Sequence, residues 1–257
     1  MKRNYLFLFA ALCTSIGAWA WGQKGHDVTA YIAEKHLTEQ AKAKVEAALD
    51  GHSPVYYSNW LDNASNTPEY RYTKTWHYIN VEEGATLAST PPLPTGDVLT
   101  AVTELVTKLK NGNLSHDDEK VTLCMLIHLV GDMHQPMHTG HKSDLGGNKI
   151  NILNFNRNTN LHRYWDSELV DFVHKWSYSE WQYQIDRASK EEEARIVSGD
   201  IASWVAESVE IAKGIYADTP EGTKVSYDYG AKYAPVVEQQ FLKGGLRLAH
   251  LLNSIYQ

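Results

Sequence analysis

The stretch that decides the fold is Val121–His138, VTLCMLIHLVGDMHQPMH. Its first ten residues are apolar on every side except at His128, a pattern typical of a helix that is buried all round. His128 and Asp132 are four residues apart and therefore lie on one face of this helix, while Pro136 cannot continue it. A buried imidazole beside a buried carboxylate is costly unless both have partners. A His–Asp hydrogen bond or a shared metal ion would each meet this need, and the segment alone does not decide between them.

Helical periodicity recurs through most of the remaining chain. Thr38 is a suitable N-cap, Gly112 is a suitable helix end, and Ser115 with Asp118 resembles a capping box for the central helix. The sequence predicts helices from about residue 28 and over residues 38–49, 97–110, 161–173, 180–187, 198–216 and 229–255. Gly244-Gly245 weakens the last helix unless a neighbouring backbone packs close to it.

Residues 139–160 form a long polar segment that carries Gly146-Gly147. Ile150, Ile152 and Phe155 within it predict one or two short strands, with a possible β-hairpin over residues 146–158. A connection of this length without a helix is more often functional than incidental. Because no repeat or composition break marks a second domain, we predict one all-α, mainly helical domain over residues 21–257.

The first twenty residues have the composition of a secretory leader. Lys2-Arg3 precedes an apolar run from Tyr5 to Ile16 that is too short to span a bilayer, and Ala18-Trp19-Ala20 is a small-x-small cleavage site. We therefore expect residues 1–20 to be a signal peptide cleaved after Ala20, and the mature protein to be periplasmic or secreted. No later segment is long and apolar enough to be transmembrane.

Charge and cysteine content restrict the function further. The leader contains two basic and no acidic residues, so its removal leaves 22 basic against 31 acidic residues, a net charge of −9. This balance argues against a pure nucleic-acid-binding module. Cys13 raises a lipoprotein alternative, but Leu12 occupies the position where a lipobox requires a small residue. Cleavage leaves Cys124 alone, so no intramolecular disulfide is expected.

Histidine and aspartate recur together along the mature chain. The helical pair His128–Asp132 is repeated by His162–Asp166 with the same spacing. Further histidines and aspartates in ordered, apolar-flanked contexts are His26, Asp62, His77 and His138. Imidazole and carboxylate together suit zinc, and each pair with i, i+4 spacing supplies two ligands from one helix face.

These motifs make the sequence resemble the S1/P1 nuclease family, trinuclear-zinc phosphodiesterases that prefer single strands. The resemblance covers essentially the whole mature chain. The motifs are Trp21-Gly22 followed by His26, Trp60-Leu61-Asp62, Trp76 to Asn80, His128 with Asp132 and His138, Gly146-Gly147-Asn148, and Asn160 to Asp166. The lack of the disulfides found in fungal and plant relatives is typical of a bacterial member.

The resemblance implies three zinc ions and a ligand set for each. Asp62, His77, His128 and Asp132 would hold the first; the amino group and carbonyl oxygen of Trp21, with His26 and Asp132, would hold the second; His138, His162 and Asp166 would hold the third. Cleavage after Ala20 would create the α-amine that binds metal. Asp132 would bridge two ions, and Asp62 would orient the hydroxide that attacks phosphorus.

The resemblance also implies how the substrate binds. Tyr78 occupies the position that stacks on an unpaired base, and Asn80 the position that contacts the base edge. Expected activities are endonucleolytic cleavage of single-stranded RNA or DNA to 5′-phosphorylated products and removal of 3′-phosphates from nucleotides, by a monomeric enzyme. Ser65 departs from the family, which commonly has a phosphate-contacting basic residue there; Arg71 or Lys74 could replace it.

Two alternative functions remain open at the level of sequence. The related zinc-dependent phospholipase C enzymes have a similar trinuclear site on a similar fold, and an exported zinc-binding protein without turnover would need the same ligands. His134 and His141 lie near the predicted site in sequence and are candidates for supporting its ligands.

Overall fold

The computed structural model describes residues 21–257, so the predicted signal peptide lies outside the described residues. The α-helices in chain order are α1 (Gln23–Lys35), α2 (Glu39–Ala48), α3 (Pro54–Tyr57), α4 (Trp60–Ala64), α5 (Val98–Asn111), α6 (His116–Asp132), α7 (Leu161–Arg163), α8 (Leu169–Val173), α9 (Tyr178–Ile185), α10 (Lys190–Ile196), α11 (Ile201–Asp218) and α12 (Tyr227–Ile255). Short 3-10 helices cover Arg71–Thr75, Leu87–Ser89 and Pro136–Thr139. The prediction of a mainly helical domain is confirmed. None of the helices within residues 21–257 combines the length and the hydropathy that crossing a bilayer requires.

Helix α6 is the central element, as the sequence predicts. Every residue from Thr122 to Asp132 is buried, so the absence of a polar face follows from its position inside the domain. Its first turn is capped by Ser115, whose hydroxyl accepts a hydrogen bond from the amide of Asp118 at 3.2 Å. The preceding helix, α5, packs on α6 and ends at Gly112, whose φ of 67° is left-handed.

Helices α1 and α12 pack closely because Gly244 and Gly245 lack side chains. A Cβ on Gly245 would lie 2.4 Å from Cβ of Ile32, and one on Gly244 would lie 3.1 Å from Cγ2 of Thr29. The glycine pair therefore allows the backbones of α1 and α12 to approach closely. This is the condition under which the sequence predicts that Gly244-Gly245 does not weaken the last helix. This contact sets α1, which carries His26, against the core beside α6.

The predicted hairpin is present, and a third strand joins it. Strands β1 (Asn151–Asn154) and β2 (Arg157–Asn160) pair antiparallel, with Asn151 opposite Asn160. Strand β3 (Lys224–Val225) pairs parallel with β1. Neither β3 nor α10 was predicted, because two residues show no alternation and α10 has no buried residue to create a periodic pattern.

Residues 161–173 are helical as predicted, but the helix is not uniform. A π-helical turn, Tyr164–Glu168, separates α7 from α8. Such turns are rare and are frequently found at functional sites. In this protein the wide turn contains Asp166, which is buried.

Candidate metal centre

All eight predicted ligand side chains converge in the interior. Three groups of three residues have ligand atoms that all lie within 4.8 Å of one another: His26, Asp62 and His128; His77, His128 and Asp132; and His138, His162 and Asp166. They come from α1, α4, the segment before α5, the end of α6, the 3-10 turn after it, and the segment from α7 into the π-helical turn. Side chains that are 140 residues apart in the sequence thus share one buried region.

Asp132 lies at the centre of this region and is fully buried. Its Oδ2 lies 2.9 Å from Nδ1 of His77 and 3.3 Å from Nε2 of His128. Its Oδ1 lies 3.4 Å from Nε2 of His26 and 3.6 Å from Nδ1 of His138. Each carboxylate oxygen therefore faces a different pair of imidazoles, which is the geometry expected of a bridging residue.

Three of the histidines are oriented by main-chain carbonyl oxygens. Nδ1 of His128 donates to Ser58 O at 2.7 Å, Nδ1 of His138 to His77 O at 2.6 Å, and Nδ1 of His162 to Gly146 O at 2.7 Å. Because a carbonyl can only accept, the proton must be on Nδ1 in each ring. In the neutral form Nε2 then carries the lone pair, which is the arrangement that metal-binding histidines almost always adopt.

The Nε2 atoms of these rings face carboxylates. Nε2 of His128 lies 3.4 Å from Oδ1 of Asp62, and Nε2 of His162 lies 3.3 Å from Oδ2 of Asp166. Nε2 of His138 lies 3.8 Å from the other oxygen of Asp166. A cation between such nitrogens and oxygens would be within bonding reach of both.

Several polar atoms of the cluster are buried without a hydrogen bond to any described residue. They are both ring nitrogens of His26, Nε2 of His77, Oδ1 of Asp132 and Nε2 of His138. A buried polar atom without a partner is destabilising. A divalent ion supplies the missing partner for imidazole and carboxylate together, so the residues present fit a metal centre of the zinc type.

Asp132 and Asp166, the two fully buried carboxylates of the ligand cluster, have opposite electrostatic environments. Burial alone would raise the pKa of Asp132, but the imidazoles of His128 and His138 outweigh burial and hold that pKa well below its usual value. Burial raises the pKa of Asp166 well above its usual value, although the Gln135 amide donates a hydrogen bond to it. Burial, together with the positive charge of His128, lowers the pKa of His26 to about 3. His26 is consequently neutral, as a metal ligand must be.

Trp21 is held beside the third group of ligands. Its side chain is fully buried, and its ring centroid is 4.8 Å from that of Phe241. The amide of the next residue, Gly22, donates to the carbonyl oxygen of Asp166 at 2.7 Å. The predicted new N-terminus is thereby anchored next to the metal centre, while ligation by its α-amine stays a prediction.

Tyr78 and Asn80 line a cavity of about 260 Å³ that adjoins the cluster at His162. Both side chains are half-buried, and the amide nitrogen of Asn80 donates to Gly140 O at 2.9 Å. The other lining residues are Met137, Leu145, Gly146, Asn148 and Lys149. The structure thus places both predicted substrate-binding residues at one opening beside the third group of ligands.

Some residues of the centre have no signal in the sequence. Gln135 donates its amide to Asp166 and accepts from the amide of Met137 at 2.6 Å, and Ser58 and Gly146 act only through their carbonyl oxygens. The position of Gln135 between His134 and His138 does not by itself indicate this role.

His134 and His141 do not face the ligand cluster. His134 donates from Nδ1 to Val130 O at 2.8 Å and contacts Arg247 through Nε2 at 3.0 Å. His141 stacks on Tyr216 with ring centroids 3.9 Å apart. The contacts of His134 and His141 are therefore with helices α12 and α11.

A helical domain that gathers imidazoles and carboxylates around an opening of this kind is typical of a multinuclear metallohydrolase. Comparison with known families makes the class specific. The family model described as S1/P1 Nuclease matches residues 21–257, and the chain belongs to this family. The resemblance inferred from the sequence motifs is therefore confirmed, and with it the assignment as a phosphodiester hydrolase.

Individual relatives match along nearly their whole length. Endonuclease 5 of Arabidopsis thaliana is 28% identical, over 93% of this chain and 92% of that protein. Nuclease S1 of Aspergillus oryzae is 24% identical, over 96% of this chain and 95% of its own. Nuclease P1 of Penicillium citrinum is 24% identical, over 92% of this chain and 98% of its own.

Proposed function

We propose that this protein is a zinc-dependent endonuclease that cleaves single-stranded nucleic acid to 5′-phosphorylated products. The family assignment and the names of the relatives support nuclease activity. The observation that carries the proposal is the convergence of three ligand groups beside the opening lined by Tyr78 and Asn80.

Three zinc ions are the proposed cofactors. Asp62, His77, His128 and Asp132 would hold one ion, Trp21, His26 and Asp132 a second, and His138, His162 and Asp166 a third. The bridging position of Asp132 is supported by its two oxygens, each of which faces two imidazoles. The third group is the most self-contained, because one carboxylate serves both of its histidines.

The bound ions would acidify a water molecule and neutralise charge on the phosphodiester. The protein side chains would hold and accept protons. The side chain of Asp62 is 16% exposed, whereas that of Asp132 is 0% exposed, so Asp62 is the carboxylate of this pair that solvent can reach. Burial opposes ionisation of Asp62, but the neighbouring His128 outweighs it and lowers the pKa of Asp62. Asp62 is therefore anionic at neutral pH and can accept a hydrogen bond from the attacking water.

Tyr78 and Asn80 would select an unpaired base. Stacking on an aromatic ring is available only to a base that is free of its partner strand. The hydrogen bond from the amide of Asn80 to Gly140 O leaves its carbonyl oxygen able to accept from a base N–H. In a duplex, neither the face nor the Watson–Crick edge of a base is free to contact Tyr78 and Asn80.

Lys149 is the proposed contact for the substrate phosphate. The family's basic position is occupied by Ser65, which is buried and donates to Asp62 O at 3.3 Å. Arg71 and Lys74 are exposed and do not line the cavity beside the metal centre. Lys149 does line it, and its ammonium group donates to Ser143 O at 3.1 Å, a partner that leaves its charge uncompensated.

Three further properties belong to the proposal. The enzyme would remove 3′-phosphates from nucleotides, act as a monomer, and be exported to the periplasm or the medium after cleavage behind Ala20. Cleavage would expose the α-amine of Trp21 at the position that Gly22 anchors beside Asp166.

The deciding experiment compares two forms of the protein, one beginning at Trp21 and one with extra residues before it. Metal content and hydrolysis of single-stranded DNA, single-stranded RNA, duplex DNA and phosphatidylcholine are measured for both, with and without EDTA. We expect about three zinc ions and EDTA-sensitive cleavage of single strands for the first form, and one ion fewer with most of the rate lost for the second.

The alternatives give different results in the same assay. Cleavage of phosphatidylcholine but not of single strands would indicate a phospholipase. Bound zinc without hydrolysis of any phosphodiester would indicate a storage protein. Equal activity of the two forms would refute the role of the terminal amine.

A further inference from the structure

A second, larger cavity lies away from the metal centre, between the segment 185–196 and helices α11 and α12. Its volume is about 500 Å³, and it contains none of the proposed metal ligands. We call it the basic cavity, because its charged lining consists of Arg187, Arg195, Lys243 and Arg247 against Glu192 and Glu207. Four cations and two carboxylates in one cavity are unexpected in a chain whose net charge is −7.

The base of the cavity holds two cations on one carboxylate. Glu207 accepts from Lys243 at 2.8 Å and from Arg247 at 2.7 Å. Arg247 is only 1% exposed, and its Nε donates to Ile196 O at 2.9 Å. These contacts fix the guanidinium without adding a second negative charge, so the base keeps a net charge of +1.

The rim of the cavity carries two further guanidinium groups that are weakly neutralised. Arg187 donates from Nε to Gln184 O at 3.2 Å and lies 5.0 Å from the ring centroid of Tyr183. Neither partner carries a charge. Arg195 lies 3.8 Å from Glu192, an exposed pair of the kind that contributes little.

We propose that the basic cavity binds a phosphate monoester of mononucleotide size. A guanidinium group matches two phosphate oxygens at once, and the rim offers two of them, Arg187 and Arg195, beside a base of net charge +1. Ile185, Ile196 and Leu242 form an apolar wall against which the body of the ligand can pack. The volume lies within the range of about 300–1,000 Å³ that is usual for small-molecule sites.

The ligand could come from two sources, a free nucleotide or the terminal phosphate of a cleaved strand. Both present the same dianionic group, and both arise where phosphodiesters are hydrolysed to 5′-phosphates. The inference rests on the proposed function only for this choice of ligand. The charge arrangement of the cavity is independent of it.

The test is a calorimetric titration of the zinc-loaded protein with 5′-AMP. We expect two classes of site in the unaltered protein, one at the metal centre and one in the basic cavity. The double variant Arg187→Ser/Arg195→Ser should weaken one class by at least about tenfold, because it removes the charge-assisted hydrogen bonds that two guanidinium groups would donate to the phosphate, and it should leave the other class unchanged. Lys243→Met, measured in the same way, should weaken the same class.

Lys190→Ser is the matched control. Lys190 is also on α10, its side chain is 83% exposed, and it pairs with Glu193 at 2.7 Å outside the cavity. The substitution Lys190→Ser removes one positive charge from the same surface and should leave both classes of AMP site intact. Equal weakening in the control would show a general effect of charge and would overturn the assignment, as would a single class of site in the unaltered protein.

Two further arms separate the sources and the hypotheses. Inorganic phosphate and a 5′-phosphorylated oligonucleotide are each tested as competitors of 5′-AMP. If the cavity admits only free nucleotides, inorganic phosphate should compete and the oligonucleotide should not. If it binds the end of a strand, both should compete. Single-strand hydrolysis by the unaltered protein tests the nuclease proposal separately. Loss of one AMP site in the double variant of a protein that cleaves no strand would support the cavity and contradict the nuclease.

Discussion

Replacing Asp132 by asparagine tests the centre most directly. The change keeps the size of the side chain but removes its charge and places an NH₂ group where one oxygen faces two imidazole nitrogens at 2.9 and 3.3 Å, or at 3.4 and 3.6 Å. A unit charge about 4 Å away, at an effective dielectric constant of about 20, contributes about 4 kcal/mol. We therefore expect a loss of at least one bound metal ion and a fall in kcat/KM of about 10³-fold, since each factor of ten corresponds to about 1.4 kcal/mol.

The assay measures zinc content by mass spectrometry and hydrolysis of a fluorogenic single-stranded oligonucleotide. Asp186→Asn is the matched control, because Asp186 also faces a histidine, His36, at 2.9 Å but lies outside the ligand groups. The control should keep its metal and its rate. Full metal content in Asp132→Asn, together with a rate within tenfold of the unaltered protein, would refute the bridging role.

Three other substitutions probe separate parts of the molecule. Tyr78→Ala should raise KM for single strands by about tenfold, since base stacking contributes about 1–3 kcal/mol, and an unchanged KM in steady-state assays would exclude the stacking role. Tyr216→Phe removes a hydroxyl that accepts from the main-chain amide of His141 and donates to Asp144. It should lower the free energy of unfolding, measured in urea, by about 1–3 kcal/mol, and it should weaken metal binding at the proposed site of His138, His162 and Asp166 in chelator competition. Arg247→Met removes a guanidinium that is 1% exposed and that donates to Ile196 O and to Glu207. Because Glu207 is 40% exposed and keeps Lys243 as a partner, we expect a loss of only about 1–3 kcal/mol in the free energy of unfolding, and an unchanged free energy of unfolding would contradict this.

The central helix and the spacing of its ligands could be predicted from sequence because both are local properties. Continuous apolar residues around His128 can only be accommodated inside a core. The four-residue interval to Asp132 places both side chains on one face whatever surrounds the helix. The same holds for α5, where the cap at Asp97 and the left-handed Gly112 mark both ends.

Other features depend on tertiary contacts and have no local pattern. The π-helical turn that contains Asp166 differs from an α-helix by a small change in backbone geometry. Strand β3 exists because β1 offers it an edge. The basic cavity is assembled from the segment 185–196 and from helices α11 and α12, and the charges of α10 are indistinguishable in sequence from those of any solvated helix.

The orientation of the ligand histidines shows how the two kinds of information combine. The sequence specifies an imidazole at positions 128, 138 and 162, but the nitrogen that faces the centre is selected by the carbonyls of Ser58, His77 and Gly146. Any residue could supply such a carbonyl, so the sequence cannot identify it. The three carbonyls also lie in separate segments, which must all be in place before the lone pairs converge. The ligand set is therefore a property of the folded domain. The buried nitrogens of His26, His77 and His138 that lack a hydrogen-bond partner are a cost that the folded chain tolerates because bound metal can offset it.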